Sequence, residues 1–322
     1  RLLNSLGLFE AQGQTLISDT IGRLSAEGRG EGPDSSLQGS GPLVSLSNPL
    51  SSDMNILRPS LLPGLLDALR HNVSHRNYDV PLFELGRVFI PAEQRSRPAN
   101  LKGAGESPIG EERRLALALT GQRNPGFWSG ADREAKLDVY DLKGLLEEFL
   151  EQFGIRGTTY SRRSETTSLF VESATIQLGK LHLGELGQLL PALARKYDLR
   201  DPVFLAELNL DLILSRRNAA KAFRSVPALP SVRRDVAMLV PEATTHEAVL
   251  QVVKQAKPAN LESVDLFDVF RGKNIPSGQK SVAYAFTYRG AERSLTDAEV
   301  NATQEKLVEK LKQALQASIR EQ

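Results

Sequence analysis

The last hundred residues most constrain what this chain can become, because their apolar periodicity switches between two and 3.6 in a fixed order. Val232–Val240 reads as a strand, and Thr245 caps a helix through Ala256. Ser263–Phe270 and Ser281–Tyr288 read as strands joined by a loop with Gly272, Pro276 and Gly278. Thr296 caps a long helix with Val300, Leu307, Leu311 and Leu315 on one face, and Ala317–Arg320 reads as a short edge strand. The order βαββαβ is the ferredoxin-like split βαβ. Its helices cover one sheet face and leave the other open. Strand alternation then sorts the residues. Val282, Tyr284, Phe286 and Tyr288 belong under the helices, with Phe267 and Val269 beside them. Asp268, Ser281, Ala283, Ala285 and Thr287 belong on the open face.

The preceding residues read as α+β with a mainly antiparallel sheet, since helices and strands do not alternate regularly. A short helix, Leu2 to Leu8, runs into a strand from Phe9 to Ile17, and Leu43 to Leu46 is a short strand. Ser60 stands as a plausible N-cap before the apolar stripe Leu61, Leu62, Leu65, Leu66, Leu69 and Val73, with Pro63 in the first turn. Strands are expected at Leu82–Ile90, Arg114–Thr120, Phe170–Val171, Ala174–Leu178, Leu181–Leu186 and Val203–Leu210. Asp138 to Phe153 is an amphipathic helix, and Pro191–Tyr197 a helical turn. Gly28–Pro42 and Ala92–Glu112 read as polar loops, and Ser215–Ala222 as a basic linker. The expected domains are therefore 1–214 and 223–322, joined by 215–222.

The 322 residues suffice for two such cores, and 40% hydrophobic with 25% charged residues is globular composition. A net charge of +1 does not by itself announce a nucleic-acid binder. The absence of cysteine excludes disulfides, a cysteine nucleophile and thiolate metal sites, and fits a reducing compartment such as the cytoplasm. No apolar run approaches the ~20 residues of a membrane span. The chain begins at Arg1 rather than a methionine, which reads as a piece of a longer protein with domains upstream.

Four segments carry a family resemblance: Leu57-Arg58-Pro59-Ser60-Leu61-Leu62-Pro63-Gly64-Leu65-Leu66; Leu82-Phe83-Glu84-Leu85-Gly86-Arg87-Val88-Phe89; Asp138-Val139-Tyr140-Asp141-Leu142-Lys143-Gly144 with Trp128 upstream; and the stretch from Phe223-Arg224-Ser225-Val226-Pro227 through Arg293-Ser294-Leu295-Thr296-Asp297. Together, and in this order, they resemble the C-terminal half of the bacterial phenylalanyl-tRNA synthetase β subunit. The resemblance implies a catalytic-like class II domain followed by a ferredoxin-like anticodon-binding domain. It implies an αβ-paired heterotetramer whose α subunit activates phenylalanine with ATP and Mg²⁺, bound mainly outside this chain, and phenylalanine tRNA as the second partner. Editing and metal-binding functions would lie upstream of Arg1.

The residues themselves argue against catalysis here. A class II synthetase needs a permanent cation on the ATP α-phosphate, supplied by a Phe-Arg-x-Glu strand motif. Here Phe89 is followed by Ile90, Pro91 and Ala92. After Gly184-Glu185-Leu186-Gly187 no arginine stands where a nucleotide contact needs one. No catalytic or metal residue is assigned. Arg58, Glu84 and Arg87 read as a structural ion-pair cluster, His71 and His75 as solvent-facing or capping residues, and Trp128 as packed under a loop.

The resemblance assigns tRNA binding to the open face. Asp268 is the sharpest candidate, since a carboxylate accepts two hydrogen bonds and suits the N1–H and N2–H₂ donors of guanine, the first anticodon base of phenylalanine tRNA. Ser281 fits beside it. Arg320, on the last edge strand, suits stacking on a base. Pro230 and Ser231 are expected to line the same pocket, and Arg233, Arg271 and Lys273 to meet phosphates. Bland readings stand beside these: Asp268 as a solvated or paired strand residue, Arg233-Arg234-Asp235 as a local salt bridge, Arg320 as a frayed terminus. A regulatory or scaffold protein with a ligand- or protein-binding ferredoxin-like domain is the competing function.

Overall fold

A computed structural model describes residues 1–26, 43–91, 109–124, 128–130, 133–218, 226–272 and 274–319. It divides into two compact units, Arg1–Ala222 and Phe223–Gln322.

The first unit begins with α1 (Leu2–Ser5), β1 (Phe9–Glu10), β2 (Leu16–Ile17) and α2 (Asp19–Ala26). The expected single strand from Phe9 to Ile17 is thus two, in different sheets. β1 runs parallel to β4 (Val80–Pro91), while β2 pairs with β3 (Ile56–Leu57). Of the strand expected at Leu43–Leu46, a single bridge from Ser45 to Ile56 forms. α3 (Leu62–Ser74) carries Pro63 in its first turn. Ser60 is not its N-cap, a position that falls to Leu61. The Ser60 hydroxyl accepts from the Leu62 amide at 3.2 Å and donates to Glu207 Oε1 at 2.9 Å. His75 closes the helix, its Nδ1 lying 2.8 Å from the His71 carbonyl oxygen.

β5 (Ile109–Thr120) starts inside the expected loop because Ile109–Glu112 pairs with Phe89–Pro91 and Val88 of β4. The loop expected at 28–42 and residues 92–108 of the one expected at 92–112 lie outside the described residues. Trp128 is 83% exposed, so it is not packed beneath a loop. α4 (Val139–Gln152) opens on a reciprocal capping box between Asp138 and Asp141. β6 (Thr158–Arg162), β7 (Phe170–Leu178), β8 (Leu181–Leu189), α5 (Pro191–Lys196), β9 (Phe204–Asn209) and α6 (Leu210–Arg216) follow. α6 takes Ser215 and Arg216 out of the expected linker: Asn209 caps it through the Leu212 amide, and its Leu212 and Ile213 are buried.

The main sheet has seven strands in the order β1-β4-β5-β9-β8-β7-β6. Both its faces are covered, which explains the Leu/Ala alternation of β5. Leu115, Leu117 and Leu119 pack with Leu142, Leu146 and Phe149 of α4, whereas Ala116 and Ala118 pack with Leu65, Leu66 and Leu69 of α3. Smaller alanines on the α3 side let that helix approach.

The second unit is β10 (Val232–Pro241), α7 (His246–Ala256), β11 (Leu261–Phe270), β12 (Gln279–Tyr288), α8 (Asp297–Leu315) and β13 (Ser318–Ile319). Its sheet order is β11-β12-β10-β13, with these pairs antiparallel, as a ferredoxin-like unit requires. Thr245 and Thr296 cap the two helices as expected. Val282, Tyr284, Phe286 and Tyr288 are buried with Val249, Leu307 and Leu311. Burial pushes the Tyr284 and Tyr288 phenols up to about 12.

Candidate nucleic-acid interface

The face of this sheet away from the helices can be assigned from its contacts. On β10, Arg234 reaches Asp297 and Asn301 of α8, so it points to the helices. Arg233 points the other way, with Asp235 on the same side, its Nε donating to Asp235 Oδ1 at 2.7 Å. The register then places Arg233 beside Thr287, Asp235 beside Ala285, Ala237 beside Ala283 and Leu239 beside Ser281. On β11, Asp265 pairs with Ala285, Asp268 with Ala283 and Phe270 with Ser281.

Asp268 is exposed on this face, over a floor of buried Ala283 and Ala285. Ser281 is buried two residues away along β12, opposite Phe270. Asp268 and Ser281 are thereby brought together, with Ala283 between them in the central strand.

Phe267 and Val269 depart from their expected burial. Phe267 is 52% exposed and Val269 40%. The register of β11 slips between Leu266 and Asp268, making Phe267 the extra residue of a bulge. Leu266 packs with the core and Asp268 faces out, so Phe267 cannot simply alternate between them. The Arg233 guanidinium carbon lies 5.4 Å from the Phe267 ring centroid, which puts this ring on the open face. Phe270 is also 46% exposed. The sequence reading missed both phenylalanines as surface residues. The available signal was a phase break: apolar residues at 264 and 266, then at 267 and 269, which no single strand alternation accommodates.

The other expected residues are spread out. Pro230 and Ser231 are exposed just before β10, at the Tyr288 end of the sheet. Ser231 is six residues before Ala237, roughly 20 Å along the strand from the Asp268 row. They do not line one pocket with Asp268. Arg271 is close in sequence to Phe270 but is held by Glu242 through two donors at 2.9 and 2.7 Å. That Arg271 contact holds the Glu242 carboxyl below its ordinary value. Lys273 and Arg320 lie outside the described residues.

A second polar cluster occupies the α3 face of the first unit. Glu84, Ala116, Glu207 and Glu185 form one register row across β4, β5, β9 and β8. The three carboxylates are buried and each meets an arginine: Arg58 on Glu84 at 2.7 Å, Arg114 on Glu207 at 3.1 Å, Arg163 on Glu185 at 2.9 Å. Arg114 also binds Glu112 at 2.6 Å. Burial works against its charge, but Glu207 and Glu112 outweigh it and hold the guanidinium above its ordinary value. Arg87 joins this cluster only through its carbonyl, which accepts from Arg58 Nε. Its own side chain pairs outside with Glu111. Among the described residues no group of three or more His, Cys, Asp or Glu could hold a metal, and no helix is long and apolar enough to cross a membrane.

The chain thus falls in the class of proteins that join a mixed sheet, here with three buried glutamate–arginine pairs on its α3 face, to a ferredoxin-like unit, here with an open acidic and aromatic face. Residues 1–210 match the model of the phenylalanyl tRNA synthetase beta chain CLM domain, and residues 227–320 that of the ferredoxin-fold anticodon binding domain. The chain belongs to the phenylalanyl-tRNA synthetase β chain family. The phenylalanine–tRNA ligase β subunit of Geobacter sulfurreducens is 36% identical over 86% of this chain and 33% of its own length. That of Moorella thermoacetica is 37% identical over 86% and 33%, and that of Geobacillus kaustophilus 31% over 99% and 37%. The chain thus spans about a third of the length of these relatives. A solved pyrrolysyl tRNA synthetase of Desulfitobacterium hafniense aligns with a TM-score of 0.44 and 19% identity over 70% of this chain and 69% of its own, a likeness too loose to bear on the site.

Proposed function

We propose that this chain is the non-catalytic C-terminal part of the β subunit of a cytoplasmic phenylalanine–tRNA ligase, pairing with the α subunit and gripping the anticodon of phenylalanine tRNA through the open face of its second unit. The observation that carries the reading is Asp268, exposed beside Phe270 over a floor of small residues. A carboxylate in that setting accepts two hydrogen bonds from the Watson–Crick edge of guanine, and the Phe270 ring offers a stacking surface.

The charge of the face supports bases rather than phosphates as its ligands. Asp235, Asp265 and Asp268 share it with Arg233, which is itself bound to Asp235. Phosphates over such a surface would be repelled, so the strand lies with its bases inward and its backbone at the rim. Arg271 and Lys273 follow β11 in sequence and are the candidate rim cations. In the first unit, Arg58, Arg114 and Arg163 are each neutralised by glutamate, which leaves them poorly suited to a triphosphate. ATP and Mg²⁺ therefore act in the α subunit, and the first unit serves assembly.

The test is base discrimination by the full-length protein. Asp268→Ala should cut the preference for guanine over adenine at the first anticodon position by about 1–3 kcal/mol, the scale of a good bidentate base contact. Equal losses for the two bases, or none, would remove Asp268 as the reader. Binding independent of the anticodon would favour a scaffold or regulatory role.

A further inference from the structure

We propose that Phe267 and Arg233 form a second base-binding position on this face, a stacking clamp for the nucleotide that adjoins the one read by Asp268. The inference rests on the anticodon reading above and extends it from one base to two.

Three observations meet here. Phe267 is the bulged residue of β11, and the bulge sets two consecutive side chains, the Phe267 ring and the Asp268 carboxylate, on the open face together, which an unbroken alternating strand could not do. The ring is half exposed, although a phenylalanine gains most from burial. The planar Arg233 guanidinium reaches it from β10, with β12 and its small Ala283, Ala285 and Thr287 between the two strands. A guanidinium resting on an aromatic ring above small residues makes one continuous stacking surface, on which a base lies without regard to its identity.

The spacing also fits. Phe267 falls between the rows of Tyr284 and Ala283, and Phe270 lies in the row of Ser281. That is two to three rows, roughly 7–10 Å at about 3.3 Å per residue, enough to hold two neighbouring bases unstacked from each other. Asp268 stands between the two rings and gives the first position its sequence preference. The Phe267 position has no comparable carboxylate pair of its own, since Asp235 is engaged by Arg233 and Asp265 accepts from the Ser263 hydroxyl at 2.9 Å. It therefore grips without strong selection.

The experiment uses the full-length protein in its native assembly and phenylalanine-tRNA anticodon stem-loops with 2-aminopurine at each anticodon position in turn. In the unaltered protein, fluorescence at a base adjoining the first position should be quenched by stacking. Phe267→Leu should restore that fluorescence and weaken binding about tenfold, Phe267→Trp should keep both, and the preference for guanine at the first position should persist in each. Phe267→Leu with unchanged quenching and affinity within twofold overturns the clamp while leaving the Asp268 reading intact. Loss of guanine preference as the cause is separated by Asp268→Ala, whose failure to alter that preference would strike the underlying reading and not the clamp. Arg233→Gln should weaken binding without changing its salt dependence. A salt slope reduced by about one would mark Arg233 as a phosphate ligand and overturn its half of the clamp.

Discussion

Arg58 and Glu84 meet almost wholly out of water, at 8% and 2% side-chain exposure and 2.7 Å apart. Attraction at that distance is offset by the desolvation of both charges, so the pair adds little net stability, yet either partner left alone is costly. The second Glu84 oxygen has no hydrogen-bond partner, which lowers the value of the pair further. Glu84→Leu should therefore destabilise the first unit by about 3–5 kcal/mol, and the double replacement Arg58→Met with Glu84→Leu should recover most of the loss. Urea unfolding of the three variants checks this. A double variant as unstable as Glu84→Leu alone would mean that the pair holds the unit together by attraction, contrary to the desolvation argument.

Caps and bulges decide what the secondary-structure elements present. At the start of α8 the Thr296 hydroxyl meets the Glu299 amide, and the Glu299 carboxylate returns to the Thr296 amide at 2.9 Å. Arg293, with that returned bond, holds the Glu299 carboxyl down at about 2, from an ordinary 4.5. The ionised form is the one the folded unit favours. Its contribution is fully present above about pH 4.5 and disappears as pH falls toward 2. Glu299→Gln should thus flatten the acid side of the second unit's stability curve over that window, and Thr296→Ala should cost about 1 kcal/mol at neutral pH. Thermal melts between pH 2 and 7, roughly the span of this linkage, read both, and an acid limb unchanged by Glu299→Gln would refute the assignment. The cap itself was legible, because Thr296 and Glu299 have the spacing of a capping box ahead of an apolar stripe. The five long elements of this unit were legible for the same reason of periodicity. The bulge at Phe267 left only the phase break between Leu266 and Phe267, a faint mark because one inserted residue changes the phase of a strand without changing its composition. β6 escaped notice because Thr158–Arg162 is a short polar edge strand in which Tyr160 alone packs on the core, too little to leave an alternating apolar pattern. Ser60 was misplaced because its partner, Glu207, lies 147 residues away, and no local rule foretells that bond.

At the scale of the whole chain, two cores of unlike purpose follow from how each sheet is covered. The second unit leaves one face bare, with aspartates and phenylalanines on it. The first covers both faces and sets into its apolar α3 side one row of three glutamates in register, each matched to an arginine. Such a row is a poor bed for a triphosphate: its cations are already neutralised, and a bound nucleotide would have to displace carboxylates from arginines that burial makes costly to strand. Ile90, which follows Phe89 where the class II resemblance leads one to expect a phosphate-binding arginine, is buried in β4. The expectation is that Mg²⁺ and ATP leave the melting temperature of this chain unchanged. If ATP bound with a Kd near 100 μM, 10 mM would be about 100 times Kd and would stabilise the first unit by about 2.7 kcal/mol. For a unit of this size that is a rise of roughly 5–10 °C, well within reach of a thermal melt. A rise of that order would mean that the buried arginines exchange partners, and that the first unit retains a nucleotide site its filled sheet argues against.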